Sequence, residues 1–247
     1  MKSENSPAVR LREVYKIFPS QTGDRKHTVA LDDVSLEILR GSFTVIGGAN
    51  GSGKSVLMNI ISGLMEASDG LVEVESKPGL VFQDAATQIL GDSPREDVSV
   101  GPRNLGLPKS EIPSVVEKAL ASVSLLEKAD FPAEFLSGGE KRRLAVASIL
   151  AMDRDIIIFD EPYANLDYPG VLDVNALLRQ LHSSGKTVIV LTHELEKCLG
   201  LSDHFIVMQK GRIVFDGCPQ DALKLDLTAW SIRNPIAAYG KLSDLAW

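Results

Sequence analysis

Residues 48–55, GANGSGKS, constrain the fold of this chain more than any other stretch. They follow an apolar run, SFTVIGG, and precede a helical pattern, KSVLMNIISGLM. The spacing fits G-x-x-x-x-G-K-[ST] from Gly48 to Ser55, placed between a strand and a helix. In that setting glycines let successive backbone N–H groups turn toward phosphate oxygens, and the helix behind them adds its positive end. Lys54 is expected to reach the outer phosphates and the Ser55 hydroxyl to bind Mg²⁺. The expected nucleotide cradle is Gly48, Asn50, Gly51, Ser52, Gly53, Lys54, Ser55 and Val56.

The rest of the chain fits an α/β core. LREVYKIF, ALDDVSLEIL and SFTVIGG read as strands, the first two separated by the polar loop PSQTGDRKHT. After a helix ended by Gly63, GLVEVES and GLVFQ return to strand character. DIIIFD and TVIVLT are near-continuous apolar runs, the pattern of parallel strands buried on both faces. Between them YPGVLDVNALLRQLHSSG reads as a helix, and HFIVMQKGRIVFDG reads as a hairpin turning at Lys210–Gly211. This alternation predicts a mostly parallel sheet preceded by an antiparallel β portion.

An insertion interrupts the pattern. From residue 84 the chain is broken by Pro and Gly and reads as irregular, until SVVEKALASVSLL gives an amphipathic helix. A second glycine-rich helix start follows, LSGGEKRR at 136–143, with Ser137 and Glu140 in capping-box spacing. That helix is expected to run to about Met152, with Lys141, Arg142 and Arg143 on a solvated face. The 247 residues read as one domain. Residues 1–83 and 153–219 form the core, 84–152 an inserted helical subdomain, and 220–247 a short tail.

Composition narrows the function. A net charge of −7 argues against a nucleic-acid-coating surface, so no nucleic-acid partner is expected. Cys198 and Cys218 form no CxxC pair, and the longest apolar runs are strand-length. With no apolar leader, the expectation is a soluble, cytoplasmic chain. Hydrolysis at a phosphate site needs a carboxylate for the metal and a group that accepts a proton from water. Asp160 and Glu161, ending the run DIIIFDEP, supply these as metal partner and candidate general base. Gln83 and His193 end two other strands at the edge where open α/β sheets bind ligands.

Taken in order, GANGSGKS, Gln83, LSGGE, IIIFDEP, ANLD and His193 resemble the nucleotide-binding subunit of ATP-binding cassette (ABC) transporters. The stretch GLVFQDAATQILGDSPREDVSVGPRNLGLP is similar to the energy-coupling factor type, importers of metal ions and vitamins. The resemblance implies a P-loop NTPase fold with a RecA-like parallel core, ATP as substrate and Mg²⁺ as cofactor. It implies a head-to-tail dimer with a second ABC subunit, identical or different. In that dimer Ser137, Gly138, Gly139 and Glu140 face the partner's nucleotide. Phe18 would stack on adenine, with Tyr15 its rival. Asp167 would lie in the dimer loop, Gln83 beside Mg²⁺ or the attacking water, and His193 at the γ-phosphate. An integral membrane subunit would dock near 84–106 and hold the chain on the cytoplasmic face of the membrane.

Three residues depart from the family pattern: Val56 and Glu140 replace the usual Thr and Gln, and Asn165 replaces a small residue. Two other readings stand beside the importer of micronutrients. One is the ATPase of another importer class, for amino acids or metal chelates. The other is a soluble cassette ATPase acting on ribosomes or DNA, whose members carry paired cassettes or coiled-coil insertions absent here.

Overall fold

The computed structural model describes residues 6–19 and 27–237. Most of the polar loop 19–28 and the end of the tail, Trp247 included, lie outside the described residues. The elements in chain order are β1 (Pro7–Phe18), β2 (Thr28–Leu39), β3 (Phe43–Gly47), α1 (Lys54–Ile61), β4 (Asp69–Val74) and β5 (Gly79–Val81). There follow α2 (Pro94–Asn104), α3 (Ile112–Ser122), α4 (Gly138–Ala151), β6 (Ile156–Asp160), α5 (Tyr168–Ser183) and β7 (Thr187–Leu191). The chain then continues through β8 (His204–Gln209), β9 (Arg212–Gly217) and α6 (Pro219–Ala222).

Two sheets result. A six-stranded sheet runs β5-β6-β7-β3-β8-β9, parallel throughout except for the β8–β9 hairpin. A three-stranded antiparallel sheet runs β2-β1-β4. This is the mixed α/β architecture of a P-loop NTPase.

The apolar strands of the parallel sheet serve two cores at once, because side chains alternate between faces. Ile156, Ile158, Ile46 and Ile189 point toward the antiparallel sheet and α1, packing with Leu11, Leu31 and Leu57. Ile157, Phe159, Val45 and Val190 point the other way, onto Leu144 of α4 and Leu178 of α5. A strand buried on both faces cannot alternate polar with apolar, and β3 and β7 are accordingly buried at all five positions. Because β3, β6 and β7 run parallel, their C-terminal ends, with the loop into α1, lie on one common edge of the sheet.

Two expectations need correction. The irregular stretch after residue 84 contains a helix, α2, even though Pro102 lies within it. Ser93 caps its start by accepting from the Glu96 N–H, and Pro94 occupies its first turn, where a missing N–H costs nothing. The Asp97 carboxylate, buried inside, accepts from Leu90 and Gly91 N–H groups and from the Ser148 hydroxyl on α4. Tertiary bonds thus override the local breakers. The second correction concerns the basic run after the glycines: Arg142 is not solvated but only 6% exposed.

Candidate nucleotide site

Residues 48–53 form a loop from the end of β3 to the start of α1. Gly48 has φ 146 and Gly53 φ 107, a region where side chains are strained. Space also forbids a side chain there. A Cβ on Gly48 would fall 2.3 Å from the Met208 carbonyl oxygen, and one on Gly53 would fall 2.8 Å from that of Ala30. The loop is wedged against the β8–β9 hairpin, whose Gly211 N–H donates to the Ser52 carbonyl at 2.9 Å. Gly53 stands at the N-cap of α1 and brings no side-chain cap, so the helix start offers its free N–H groups to a ligand.

These residues floor a cleft of about 450 Å³. Its walls are Asn50–Val56, Thr28–Ala30, Gln83, Asp160, Glu161 and the hairpin tip Lys210–Gly211. Thr28–Ala30 and Lys210 carry no motif, and they reach the cleft only because the start of β2 and the tip of the hairpin pack against the loop.

The charges in the cleft are incompletely matched. Lys54 is buried, and its Nζ donates to the carbonyls of Gly48 at 2.6 Å and Ala49 at 3.3 Å. Burial pulls its pKa down, while the charges of Glu161 and Asp160 pull it back up. Asp160 is shifted upward, first by burial and then by the Glu161 charge, with Lys54 opposing. The Ser52 hydroxyl is buried without a partner among the described residues. A polyanion suits Lys54 and the uncapped helix start, and a divalent cation suits Asp160. Among the described residues no group of three or more His, Cys, Asp and Glu side chains is preassembled for a metal. One carboxylate and one hydroxyl with a phosphate ligand are the donor set Mg²⁺ accepts.

Glu161 adopts φ 45, rare for a residue with a side chain. Its N–H donates to the Leu191 carbonyl at 2.8 Å, which ties the end of β6 to the end of β7. Its carboxylate meets His193: the His193 N–H donates to Oε2 at 3.3 Å, and Nδ1 lies 3.0 Å from Oε1. The Glu161 side chain is 13% exposed and that of His193 52%. A sheltered carboxylate beside an open imidazole can take a proton from water entering the cleft.

Of the other expected residues, Gln83 and Val56 line the cleft, and Phe18 and Asp167 do not. Gln83 is exposed on the wall, and its carbonyl accepts a long, 3.4 Å bond from Arg142. Phe18 is half-buried at the end of β1, paired with Thr28 of the wall and 5.2 Å from the Lys16 ammonium. Asp167 caps α5, accepting from the Gly170 N–H at 3.0 Å. Val56 lines the cleft and packs partly on the core.

Residues Ser137, Gly138, Gly139 and Glu140 do not line this cleft. They start α4, with both capping-box bonds formed: Glu140 N–H to Ser137 Oγ at 3.3 Å and Ser137 N–H to Glu140 Oε2 at 2.9 Å. A Cβ added to Gly138 or Gly139 would meet nothing within 4 Å. Hydrogen bonds to Lys128 and Ser137 hold the Glu140 pKa down at about 2.

A family model described as ABC transporter matches residues 31–164. The chain is 43% identical over 201 residues to the energy-coupling factor transporter ATP-binding protein EcfA of Carboxydothermus hydrogenoformans, covering 76% of this chain and 74% of that protein. Among solved structures, cbiO1 from Clostridium perfringens, described as part of the ABC transporter complex cbiONQ, superposes with a TM-score of 0.78. It is 32% identical, covering 88% of this chain and 91% of that one. The ATP-binding cassette MJ0796, in a dimeric post-hydrolysis state bound to ADP and Pi, gives 0.73 at 27% identity, covering 85% of this chain and 98% of that one.

Proposed function

The chain belongs to the ABC transporter ATPase family, as an ATP-hydrolysing transporter subunit, and on that premise we propose that it powers an importer of the energy-coupling factor type for a micronutrient, a metal ion or a vitamin. The likeness to EcfA and to cbiO1 supports this type over importers of other classes.

In this reading the backbone N–H groups of residues 50–55 and the start of α1 bind the phosphates. Lys54 exchanges its carbonyl partners for them. Phe18 stacks on the base. Ser55 and Asp160, with Gln83 nearby, hold Mg²⁺, which when bound neutralises charge on the phosphates. Glu161 accepts the proton of the attacking water, and His193 keeps its carboxylate oriented and contacts the γ-phosphate.

Ser137, Gly138 and Gly139 complete the site on a second subunit, of the same or a related chain, and Asp167 lies in the interface between them. Closure then depends on the γ-phosphate, and its loss lets the pair reopen. The region 84–106, now seen to include α2, docks the membrane subunit and holds the chain at the cytoplasmic face of the membrane. Among the described residues no helix is long and apolar enough to cross it.

The observation that carries the reading is the convergence of Lys54, Asp160 and Glu161 on one cleft, with His193 in contact with Glu161 and the second glycine-rich helix start outside the cleft. Glu161→Gln should keep ATP binding while turnover falls about 10²–10⁴-fold. It should also trap an ATP-bound dimer on size-exclusion chromatography. Hydrolysis at the parent rate would contradict the role given to Glu161.

A further inference from the structure

The contact between Glu161 and His193 is one side of a closed circuit of bonded groups. Two residues after Glu161, the Tyr163 side chain is fully buried, and its hydroxyl donates to Asn175 Oδ1 at 2.7 Å. Asn175, on α5, donates in turn from Nδ2 to the Lys197 carbonyl at 2.8 Å. Lys197 ends the 3-10 turn Leu195–Lys197, which begins two residues after His193. His193 returns to Glu161 through its N–H and Nδ1. The path Glu161–Tyr163–Asn175–Lys197–His193 thus closes on itself.

Each link has a physical reason to persist. A buried tyrosine hydroxyl without a partner is costly, and Asn175 Oδ1 accepts from it at a short distance. Neighbouring Cys198 also meets the Tyr163 hydroxyl, but burial pushes its pKa up to about 12 against that hydrogen bond, and a neutral thiol is a weaker acceptor than the Asn175 amide oxygen. The Lys197 ammonium sits 5.9 Å from the Tyr163 ring centroid, adding a second contact between the same two segments. Glu161 has φ 45, a backbone state that lasts only where surroundings over-determine it. The Leu166 N–H donates to the Tyr163 carbonyl at 3.2 Å, so the circuit also anchors the loop leading to Asp167.

We propose that Tyr163 and Asn175 are positioning residues for hydrolysis, locking the His193 segment and the 161–167 loop into one unit that keeps the Glu161 carboxylate and the His193 imidazole in contact. The proposal rests on the reading of Glu161 as the proton acceptor. Neither residue reaches the cleft, so their loss should act on turnover and leave nucleotide affinity alone.

The test is a double-variant cycle with Tyr163→Phe, Asn175→Leu and the pair, beside Glu161→Gln. Full ATP-binding stoichiometry in each variant establishes that it is folded. Each single variant should lower kcat about tenfold with KM for ATP within about twofold, and the pair should lose no more than the worse single. Should Asn175→Leu not fold, Asn175→Asp is read by the same criteria. It keeps the acceptor for Tyr163 and removes the donor to Lys197. Unchanged kcat in folded variants overturns the proposal, as do losses that multiply in the pair or KM rising with the fall in kcat. If Glu161→Gln itself retains turnover, the reading of Glu161 fails instead, whatever the cycle shows.

Discussion

The molecule has two glycine-rich helix starts, and they are finished in opposite ways. At α1 the N-cap is Gly53, which brings no side chain, and the free N–H groups face a cleft holding a buried lysine and two carboxylates. At α4 the N-cap is Ser137, and a complete capping box satisfies two of the same kind of group internally. The first start cannot accept a Cβ at Gly48 without striking backbone, whereas Gly138 and Gly139 face open space. One start is therefore built into a wall and left chemically unfinished, and the other is finished and presented outward. The difference teaches that a capped helix start is self-sufficient in stability. On the proposed reading its glycines serve what approaches from outside: a small, side-chain-free surface permits close contact with a partner's ligand.

The comparison can be broken most severely at Ser137. Ser137→Arg fills the open surface and should lower turnover about 10²–10³-fold, the scale of losing a donor to developing charge. ATP affinity of the isolated chain should not change. Equal loss of affinity, read by nucleotide titration, would mean that α4 serves its own cleft.

A smaller effect tests the unfinished start. In the folded chain the Asp160 pKa is raised by burial and by Glu161. Its stabilising contribution is therefore present below the ordinary carboxylate pKa and lost as pH rises through the raised value. At neutral pH the charge is a cost, so Asp160→Asn should raise Tm of the nucleotide-free protein by about 2–4 °C while weakening Mg²⁺-dependent turnover. A lowered Tm would show that the cleft is already balanced.

The smallest effect tests the finished start. Glu140 has a depressed pKa of about 2, through Lys128 and the Ser137 N–H. It therefore contributes stability above the ordinary carboxylate pKa, and that is lost as pH falls toward about 2. Glu140→Gln keeps an acceptor for the Ser137 N–H and loses the Lys128 ion pair, whose Nζ lies 2.5 Å from Oε1. The cost should be about 0.5 kcal/mol at neutral pH, with a flatter acid-unfolding profile in that window. An unchanged acid profile would place the stabilisation elsewhere.

Much of this was legible in the sequence because the signals are local. A strand buried on both faces must read as an unbroken apolar run, so DIIIFD and TVIVLT announced β6 and β7. The 48–55 loop announces itself because at Gly48 and Gly53 only glycine tolerates both the backbone and the packing. The capping box at 137–140 was equally readable, since its two bonds span three residues.

What escaped depends on tertiary contact. Helix α2 hides behind Gly101 and Pro102 because its order comes from Asp97, bonded to a preceding loop and to α4. Arg142 looks like a surface cation in LSGGEKRR, yet the fold buries it behind Gln83 with two of its nitrogens unpartnered among the described residues. Lys210 and Thr28–Ala30 enter the cleft wall only because a hairpin and an antiparallel strand meet the loop. No spacing in the sequence pairs Tyr163 with Asn175 and Lys197.

The central claim is that each nucleotide is held by the α1 start of one subunit and the α4 start of another. Two inactive variants test it directly: Lys54→Ala, which spoils the first start, and Ser137→Arg, which spoils the second. They are co-expressed with different tags, and the mixed dimer is purified and assayed for ATP turnover. The account predicts that turnover returns, because one of its two sites combines an intact α1 start from one chain with an intact α4 start from the other. Turnover no higher than either variant alone, in a mixed dimer shown to be assembled, would contradict it.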